Sequence, residues 1–213
     1  MAFTLHSAWR ATAPYRVRIG LALKGVDYDY AAVDLLAGQQ REPAYRAVNP
    51  QGLTPALDIG DRVLTQSLAI LEWLDETRPE PPLMPRAALD RQMVRTMALI
   101  VAADIHPLNN TRVGRALSKL GHDQAAILDW IQGWIRDGFD ALEPLVARHG
   151  DGWSFGSAPT LADCCLIPQV YSARRYEVDL APWPAITAVA KKAKAHPAFA
   201  AAHPNRQPDA KPQ

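Results

Sequence analysis

The hydrophobic pattern changes its period about a third of the way along the chain. In the first part, short apolar runs alternate with polar residues, as in residues 28–35, and this period of two is typical of half-buried strands. From about residue 87 onward, apolar residues recur at intervals of three and four, which is typical of amphipathic helices. We therefore expect a mixed α/β first part and an all-helical second part.

The first part predicts the order strand, helix, strand, an irregular stretch, then two strands and a helix. The two later strands flank Gly60-Asp61, a hairpin turn signal, and Gly25 is a suitable end for the first helix. The predicted elements are strands 3–5 and 28–35, helix 16–24, strands 53–59 and 62–65, and helix 67–77. This order is the one found in thioredoxin-like domains.

Proline density marks the boundary between the two parts. Residues 78–85 contain four prolines, which no helix tolerates, so this segment is predicted to be a linker. The helices predicted beyond it are 87–120 with a kink at Pro107, 123–148, 160–175 and 184–195. The expected domains are residues 1–82 and 88–205, and the polar, Pro-rich end from residue 203 to 213 is expected to be frayed.

Composition excludes several classes of protein. The 213 residues are 48% hydrophobic and 21% charged, with 23 Lys and Arg against 22 Asp and Glu, so neither nucleic acid nor an acidic membrane is the expected partner. Residues 1–6 lack the features of a signal peptide, and no apolar stretch reaches the length of a membrane helix. The adjacent Cys164 and Cys165 suit a reducing compartment, so a cytoplasmic location is expected, and no metal site is expected.

Pro55 opens a strand that is otherwise apolar. Taken alone, it is best interpreted as an ordinary edge-strand proline, whose missing N–H faces outward. In thioredoxin-like folds, however, the proline at this place is cis, and the backbone of the preceding residue, here Thr54, binds an extended peptide as an added strand. Residues 49–57 are therefore a candidate peptide-binding segment.

Gln66 and Ser67 follow the second strand of the predicted hairpin and open a helix. Ser67 is a good helix cap, and the simple interpretation is that it does nothing more. The free N–H groups of a helix N-terminus also attract carboxylates. The spacing from Pro55 through the hairpin to Ser67 favours the binding interpretation.

Thr12 lies at the predicted start of the first helix. A hydroxyl in this position can donate to a thiolate and lower the pKa of its thiol, with help from the helix N-terminus. It can equally cap the helix, and the two roles are compatible. Nearby, Arg10 lies in a loop beside this position and is suited to bind an anion. The alternative is that Arg10, Arg16 and Arg18 together form a solvated basic face.

The second part offers weaker candidates. Residues 160–163 form a capping box that nucleates a buried helix, and they are assigned no catalytic role. Arg175 ends that helix, where a cation is favourable in any case. His106 lies beside Pro107 in the segment 104–110, and a lone histidine is more often structural than catalytic, so both interpretations stay open.

Several segments together resemble the glutathione S-transferase superfamily, and within it most closely the zeta class. The similarity runs from Phe3 to about residue 200. The segments that carry it are 9–10, 16–25, 49–57, 66–70, 104–110, 160–163, 167–170 and 173–180. The resemblance implies a thioredoxin-like N-terminal domain joined to an all-α C-terminal domain, and a homodimer.

The resemblance also implies the residues of a site. Those implied to bind the cofactor glutathione are Gln40, Thr54, Pro55, Gln66 and Ser67, with His106 and Asn110 near it. Thr12 is implied to stabilise the glutathione thiolate, while Arg10 and Arg175 are implied to hold the carboxylates of a small dicarboxylate substrate.

The zeta class includes maleylacetoacetate isomerase and maleylpyruvate isomerase, which act in aromatic catabolism. The implied reaction is the glutathione-dependent conversion of a maleyl compound to its fumaryl isomer, through reversible addition of the thiolate to the cis double bond. The chain has Ala11-Thr12-Ala13 where the class usually has Ser-Ser-Cys. The alternatives are a transferase that conjugates electrophiles, a reductive dehalogenase and a non-catalytic glutathione-binding protein. Ala13 disfavours the dehalogenase, because a cysteine is expected at that position in such an enzyme.

Overall fold

A computed structural model describes residues 3–211 and divides them into two compact units. The first unit contains residues 3–83 together with 195–211, and the second contains residues 84–194. The last residues of the chain therefore belong to the same compact unit as the N-terminal part. The domain boundaries 1–82 and 88–205 stay a prediction.

The first unit is built on a four-stranded sheet in the order β2-β1-β3-β4. Strand β1 pairs parallel with β2, with Leu5 opposite Tyr30, and antiparallel with β3, with Leu5 opposite Leu57; β4 pairs antiparallel with β3. The elements are β1 Phe3–Ser7, α1 Thr12–Leu23, β2 Tyr28–Ala32, α2 Pro43–Val48, β3 Ala56–Asp58, β4 Val63–Thr65 and α3 Ser67–Thr77. The predicted thioredoxin-like arrangement is confirmed, and the short helix α2 is an addition to it.

Apolar side chains of the sheet, α1 and α3 form the core of the first unit. Its fully buried members include Leu5, Ile19, Leu21, Leu57, Ile70, Leu71 and Leu74. At Gly20, an added Cβ would overlap the buried Leu71 side chain, so the absence of a side chain there allows the present packing of α1 on α3.

Lys24 fastens the first unit to the start of the linker. Its side chain is fully buried, and Nζ donates to Oδ1 of Asp75 at 2.8 Å and to the carbonyl oxygens of Arg78 and Pro81 at 2.6 Å each. Residues 78–87 form neither helix nor strand, so the predicted linker is confirmed as an irregular segment. A buried ammonium group with three acceptors has its hydrogen-bonding capacity met.

The end of the chain is ordered through residue 211, so the prediction of a frayed segment is wrong for residues 203–211. Helix α9, Pro197–Ala202, and a 3-10 turn, Pro204–Arg206, each begin with a proline, whose fixed φ suits a first helical position. Helix α9 packs on α1, where Nε of Arg18 donates to the carbonyl oxygen of Ala202 at 3.0 Å. Residues 212 and 213, also covered by that prediction, lie outside the described residues.

The second unit is built from helices joined by turns, with one isolated β-bridge between Gly150 and Gly156. Its helices are α4 Ala88–Leu99, α5 Thr111–Lys119, α6 Gln124–His149, α7 Leu161–Arg175 and α8 Pro184–Ala195. The prediction of one kinked helix over 87–120 is wrong, because the chain passes from α4 into a π-helical segment, Ile100–Ile105, and then leaves the helix before α5 begins. The physical reason is Pro107, which has no N–H to donate to a carbonyl of the preceding turn and whose ring crowds that turn, so the helix cannot continue through it.

The predicted capping box of α7 is confirmed. The carboxylate of Asp163 is buried and accepts from the backbone N–H of Thr160 at 2.7 Å and from that of Ser154 at 2.8 Å. Among residues 3–211, no helix has the length and apolar character needed to cross a membrane.

Candidate active site

The turn before β3 presents free backbone groups at Thr54. The Thr54–Pro55 peptide bond is cis, as expected, and within residues 3–211 no hydrogen bond is made by the N–H or C=O of Thr54. The neighbouring Leu53 carbonyl is occupied by Oη of Tyr45 at 2.8 Å and Nδ2 of Asn49 at 2.7 Å. Burial raises the pKa of Tyr45 to about 12. Thr54 therefore offers the donor and acceptor that an added peptide strand requires.

Gln40 is brought against this turn from a separate segment of the chain. An added Cβ at Gly52, which has φ +64°, would lie 2.8 Å from the Gln40 carbonyl oxygen, so the close approach requires glycine. The Gln40 side chain is buried, and in the described part of the chain its Oε1 has no hydrogen-bond partner. A buried amide oxygen without a donor is a suitable contact for a peptide ligand.

The start of α3 has the features of an anion site. Gln66 adopts φ 65°, a backbone conformation rare for residues other than glycine, and its Nε2 donates to Oε1 of Gln51 at 2.8 Å. The cap is Gln66 rather than Ser67, and no side chain caps the helix. Three backbone N–H groups in the first turn therefore lack acceptors within the helix and point toward its N-terminal end. This end suits a carboxylate.

A buried cation lies beneath that helix start. Ser67 is buried, and its Oγ accepts from Nη1 of Arg16 at 3.2 Å. Arg16 is 2% exposed and Arg18 is fully buried, so the alternative that these arginines form a solvated basic face is wrong. The positive charge of Arg16 adds to the partial positive charge of the α3 N-terminus.

Thr12 is the first residue of α1 and is half-buried. The cap of α1 is Ala11, and no side chain caps the helix, so the alternative that Thr12 caps it is wrong. Within residues 3–211 its hydroxyl has no hydrogen-bond partner. Arg10 is also half-buried and lies in the turn formed by residues 8–11, with its guanidinium carbon 5.4 Å from the centre of the Trp9 ring.

In the second unit, His106 and Asn110 lie in the segment that joins the π-helical segment to α5. The backbone N–H of His106 donates to the carbonyl oxygen of Val101 at 2.9 Å. Asn110 caps α5, because its Oδ1 accepts from the N–H of Arg112 at 3.0 Å, while its Nδ2 takes no part in the cap. The proline-interrupted segment thus carries a half-buried histidine and a half-buried asparagine.

Arg175, also in the second unit, is the last residue of α7 and is exposed. Its Nη2 donates to Oη of Tyr176 at 2.9 Å, and its guanidinium carbon lies 4.7 Å from the centre of that ring. The tyrosine holds the guanidinium beside it, with its charge still accessible to an anion.

Comparison with known proteins identifies the family. The glutathione S-transferase N-terminal domain family matches residues 13–77, and the C-terminal domain family matches residues 128–201. The maleylpyruvate isomerase of Ralstonia sp. is 51% identical over 209 residues, covering 96% of this chain and 98% of that protein. The chain belongs to the glutathione S-transferase family.

Two solved structures extend this assignment. The holo structure of a maleylpyruvate isomerase, described as a bacterial glutathione S-transferase of the zeta class, has a TM-score of 0.96 at 49% identity, covering 98% of this chain and 100% of that one. The maleylacetoacetate isomerase of Methylobacterium extorquens AM1, with bound malonate and glutathione, has a TM-score of 0.94 at 38% identity, covering 98% and 100%. The predicted fold class and the predicted zeta-class relationship are confirmed.

Within this glutathione S-transferase, the residues predicted for the site divide between the two units. In the first unit, the turn formed by residues 49–52 contacts two of the predicted residues. Gly52 lies against the Gln40 carbonyl oxygen, and Gln51 accepts a hydrogen bond from the Gln66 side chain. Those in the first unit are Arg10, Thr12, Gln40, Thr54, Pro55, Gln66 and Ser67, and those in the second are His106, Asn110 and Arg175. Their individual roles stay predictions.

The sequence assigned no individual role to Gln51 and Gly52, although both lie in the candidate segment 49–57, and it placed Arg16 in a basic face rather than beneath the α3 N-terminus. No local pattern distinguishes them, because their contacts are with residues distant in the chain.

Proposed function

We propose that this protein is a glutathione-dependent cis-trans isomerase that converts maleylacetoacetate or maleylpyruvate to the fumaryl isomer in aromatic catabolism. The observation that carries the proposal is the identity of about half of all residues, over nearly the full length of both chains, with a maleylpyruvate isomerase. The features of the first unit agree with it, because they suit a small anionic peptide.

The residues present fit glutathione. The free backbone groups of Thr54 would hold its extended peptide part, and the buried Oε1 of Gln40 would accept an N–H from it. The N-terminus of α3, with Ser67 above Arg16, would hold a glutathione carboxylate. When bound, glutathione supplies the sulfur nucleophile that adds reversibly to the cis double bond.

Groups of the chain itself would direct the reaction. The hydroxyl of Thr12 would donate to the sulfur and favour its ionised form, supported by the N-terminus of α1. Arg10 and Arg175 would hold the carboxylates of the dicarboxylate substrate, which orients it and offsets negative charge. His106 and Asn110 would contribute further contacts with glutathione.

The change to Ala11-Thr12-Ala13 is compatible with this reaction. It keeps one hydroxyl and removes the cysteine, and the isomerisation needs no sulfur from the chain because glutathione provides it. A reductive dehalogenase with a resolving cysteine at position 13 is disfavoured on the same ground.

We further propose that the enzyme is a cytoplasmic homodimer. The resemblance to the zeta class supports the dimer, and the two buried free cysteines suit a reducing compartment.

Two substrates offered with glutathione separate the candidate functions. An isomerase produces the fumaryl isomer from a maleyl substrate, while a conjugating transferase acts on a generic aryl halide and leaves the maleyl compound unchanged. A non-catalytic protein binds glutathione and turns over neither. In the same assay, Arg175→Ala should lower kcat/KM by about tenfold or more, while Arg174→Ala, which changes the adjacent exposed arginine, is the matched control. Equal activity of the two variants would show that Arg175 does not hold the substrate.

A further inference from the structure

The turn between β1 and α1 is held through the backbone of Trp9. The N–H of Trp9 donates to Oδ2 of Asp209 at 3.0 Å, and its carbonyl oxygen accepts from Nη2 of Arg18 at 2.8 Å. Both partners are ionisable side chains of opposite charge, and hydrogen bonds to charged groups are about twice as strong as neutral ones. The turn that carries Arg10 and leads into Thr12 is therefore fixed from two sides.

Arg18 provides the first of these two sides. It is fully buried on α1, where its other donors reach Oγ of Ser7 and the carbonyl oxygen of Ala202, each at 3.0 Å. Burial lowers the pKa of Arg18, and the negative charge of Asp209 is among the influences that oppose this shift. The carboxylate therefore also compensates a buried cation.

The end of the chain provides the second side. Oδ1 of Asp209 accepts from Oη of Tyr30 on β2 at 2.7 Å. Two residues earlier, the buried Gln207 donates through Nε2 to the carbonyl oxygens of Ala201 and His203 at 3.1 and 2.9 Å. The residues before Asp209 are thus fastened to α9, and both oxygens of its carboxylate are used.

We propose that Asp209 is a positioning residue for the candidate active site. Its carboxylate holds the peptide of Trp9, and through it sets the positions of Arg10 and Thr12, although it does not itself touch glutathione or substrate. The inference rests on the proposed function, since it concerns the residues that would act on the sulfur and the substrate. It assigns a functional role to a segment some 200 residues away in sequence from the turn that it holds.

Three variants of the full-length protein test this role. Asp209→Ala removes both acceptors, whereas Asp209→Asn keeps a neutral acceptor for the N–H of Trp9. Lys211→Ala is the matched control, because it removes a different charge contact of the same segment, an exposed ion pair with Asp34 at 3.6 Å. The measurements are amide hydrogen exchange at Trp9 without glutathione, the Kd and thiol pKa of bound glutathione, and kcat and KM with a maleyl substrate.

In Asp209→Ala, exchange at Trp9 should accelerate by about tenfold or more, and kcat should fall by about tenfold or more as Thr12 and Arg10 lose their positions. The thiol pKa of bound glutathione should rise, while its Kd, measured below that pKa, should change by less than about twofold, because its main contacts are at Thr54 and Ser67. Asp209→Asn should recover most of kcat, with a loss of only about threefold for the weaker neutral bond. Lys211→Ala should match the wild type.

Unchanged exchange at Trp9 in Asp209→Ala would overturn the proposal, as would unchanged kcat despite faster exchange. Parallel losses of glutathione affinity and kcat would also overturn it, since they indicate a general loss of structure. If Asp209→Ala does not fold, Asp209→Asn decides, and wild-type values of both exchange and kcat in that variant refute the role. An inactive wild type would instead refute the proposed function. Amide exchange at Trp9 does not depend on activity, so it tests separately whether Asp209 holds the turn.

Discussion

Replacing Thr12 by valine tests whether its hydroxyl stabilises the glutathione thiolate. Valine keeps the shape of the side chain and removes the donor, while the N-terminus of α1 is unchanged because Thr12 does not cap it. A hydrogen bond to a charged group contributes about 1.5–3 kcal/mol, and for a half-buried hydroxyl we take about 1.4 kcal/mol, which equals about one pKa unit. The pKa of the bound thiol should therefore rise by about one unit.

The assay is a pH titration of the ultraviolet absorbance of the thiolate in the protein–glutathione complex. Thr12→Ser is the control, because it restores the hydroxyl and should titrate like the wild type. Below the thiol pKa, kcat/KM of Thr12→Val should fall by about tenfold, and the loss should disappear at higher pH, where the thiol ionises without help. An unchanged thiol pKa in Thr12→Val would refute the role assigned to the hydroxyl.

Three further predictions concern stability. Lys24→Met should lower the free energy of unfolding by about 3–5 kcal/mol, because it breaks a buried ion pair; denaturant unfolding measures this, with the exposed Lys191→Met as control. Asp163→Ala should lower it by about 2–6 kcal/mol, since two backbone N–H groups lose their acceptor, and a loss below about 1 kcal/mol would contradict this reasoning. Burial lowers the pKa of His6, although the charge of Asp58 partly opposes this shift. On acidification, His6 is therefore protonated at a higher pH in the unfolded chain than in the folded one. Stability should therefore fall as pH drops below about 6.5, and His6→Gln should flatten this dependence of Tm on pH.

The sequence predicts the features that depend on neighbouring residues. The hairpin around Gly60-Asp61, the proline that opens β3 and the helix that begins at Ser67 each have a local signal, and together they define a thioredoxin-like domain. The linker follows in the same way from proline density. Helix α2 is missed because its six residues are too few to establish a helical period.

The features that depend on distant contacts could not be predicted in this way. Arg16 and Arg18 suggest a solvated surface by residue type, yet both are buried through bonds to Ser67 and to the end of the chain. The segment 203–211 has the composition of a frayed terminus, and its order is explained by distant partners, those of Asp209 on β2 and at Trp9, together with the bonds of Gln207 to the end of α9. The interruption at Pro107 was predicted as a kink because the sequence does not show how far the backbone departs from the helix.

The most direct test of the proposed function is whether product forms only with glutathione and without consuming it. The purified protein is incubated with maleylacetoacetate and with maleylpyruvate, each with and without glutathione, and both the fumaryl product and the remaining free thiol are followed. We expect many turnovers of at least one substrate in the presence of glutathione, a constant thiol concentration, and no product above background without it. Product formation independent of glutathione, or thiol loss that matches substrate loss, would contradict a glutathione-dependent isomerase.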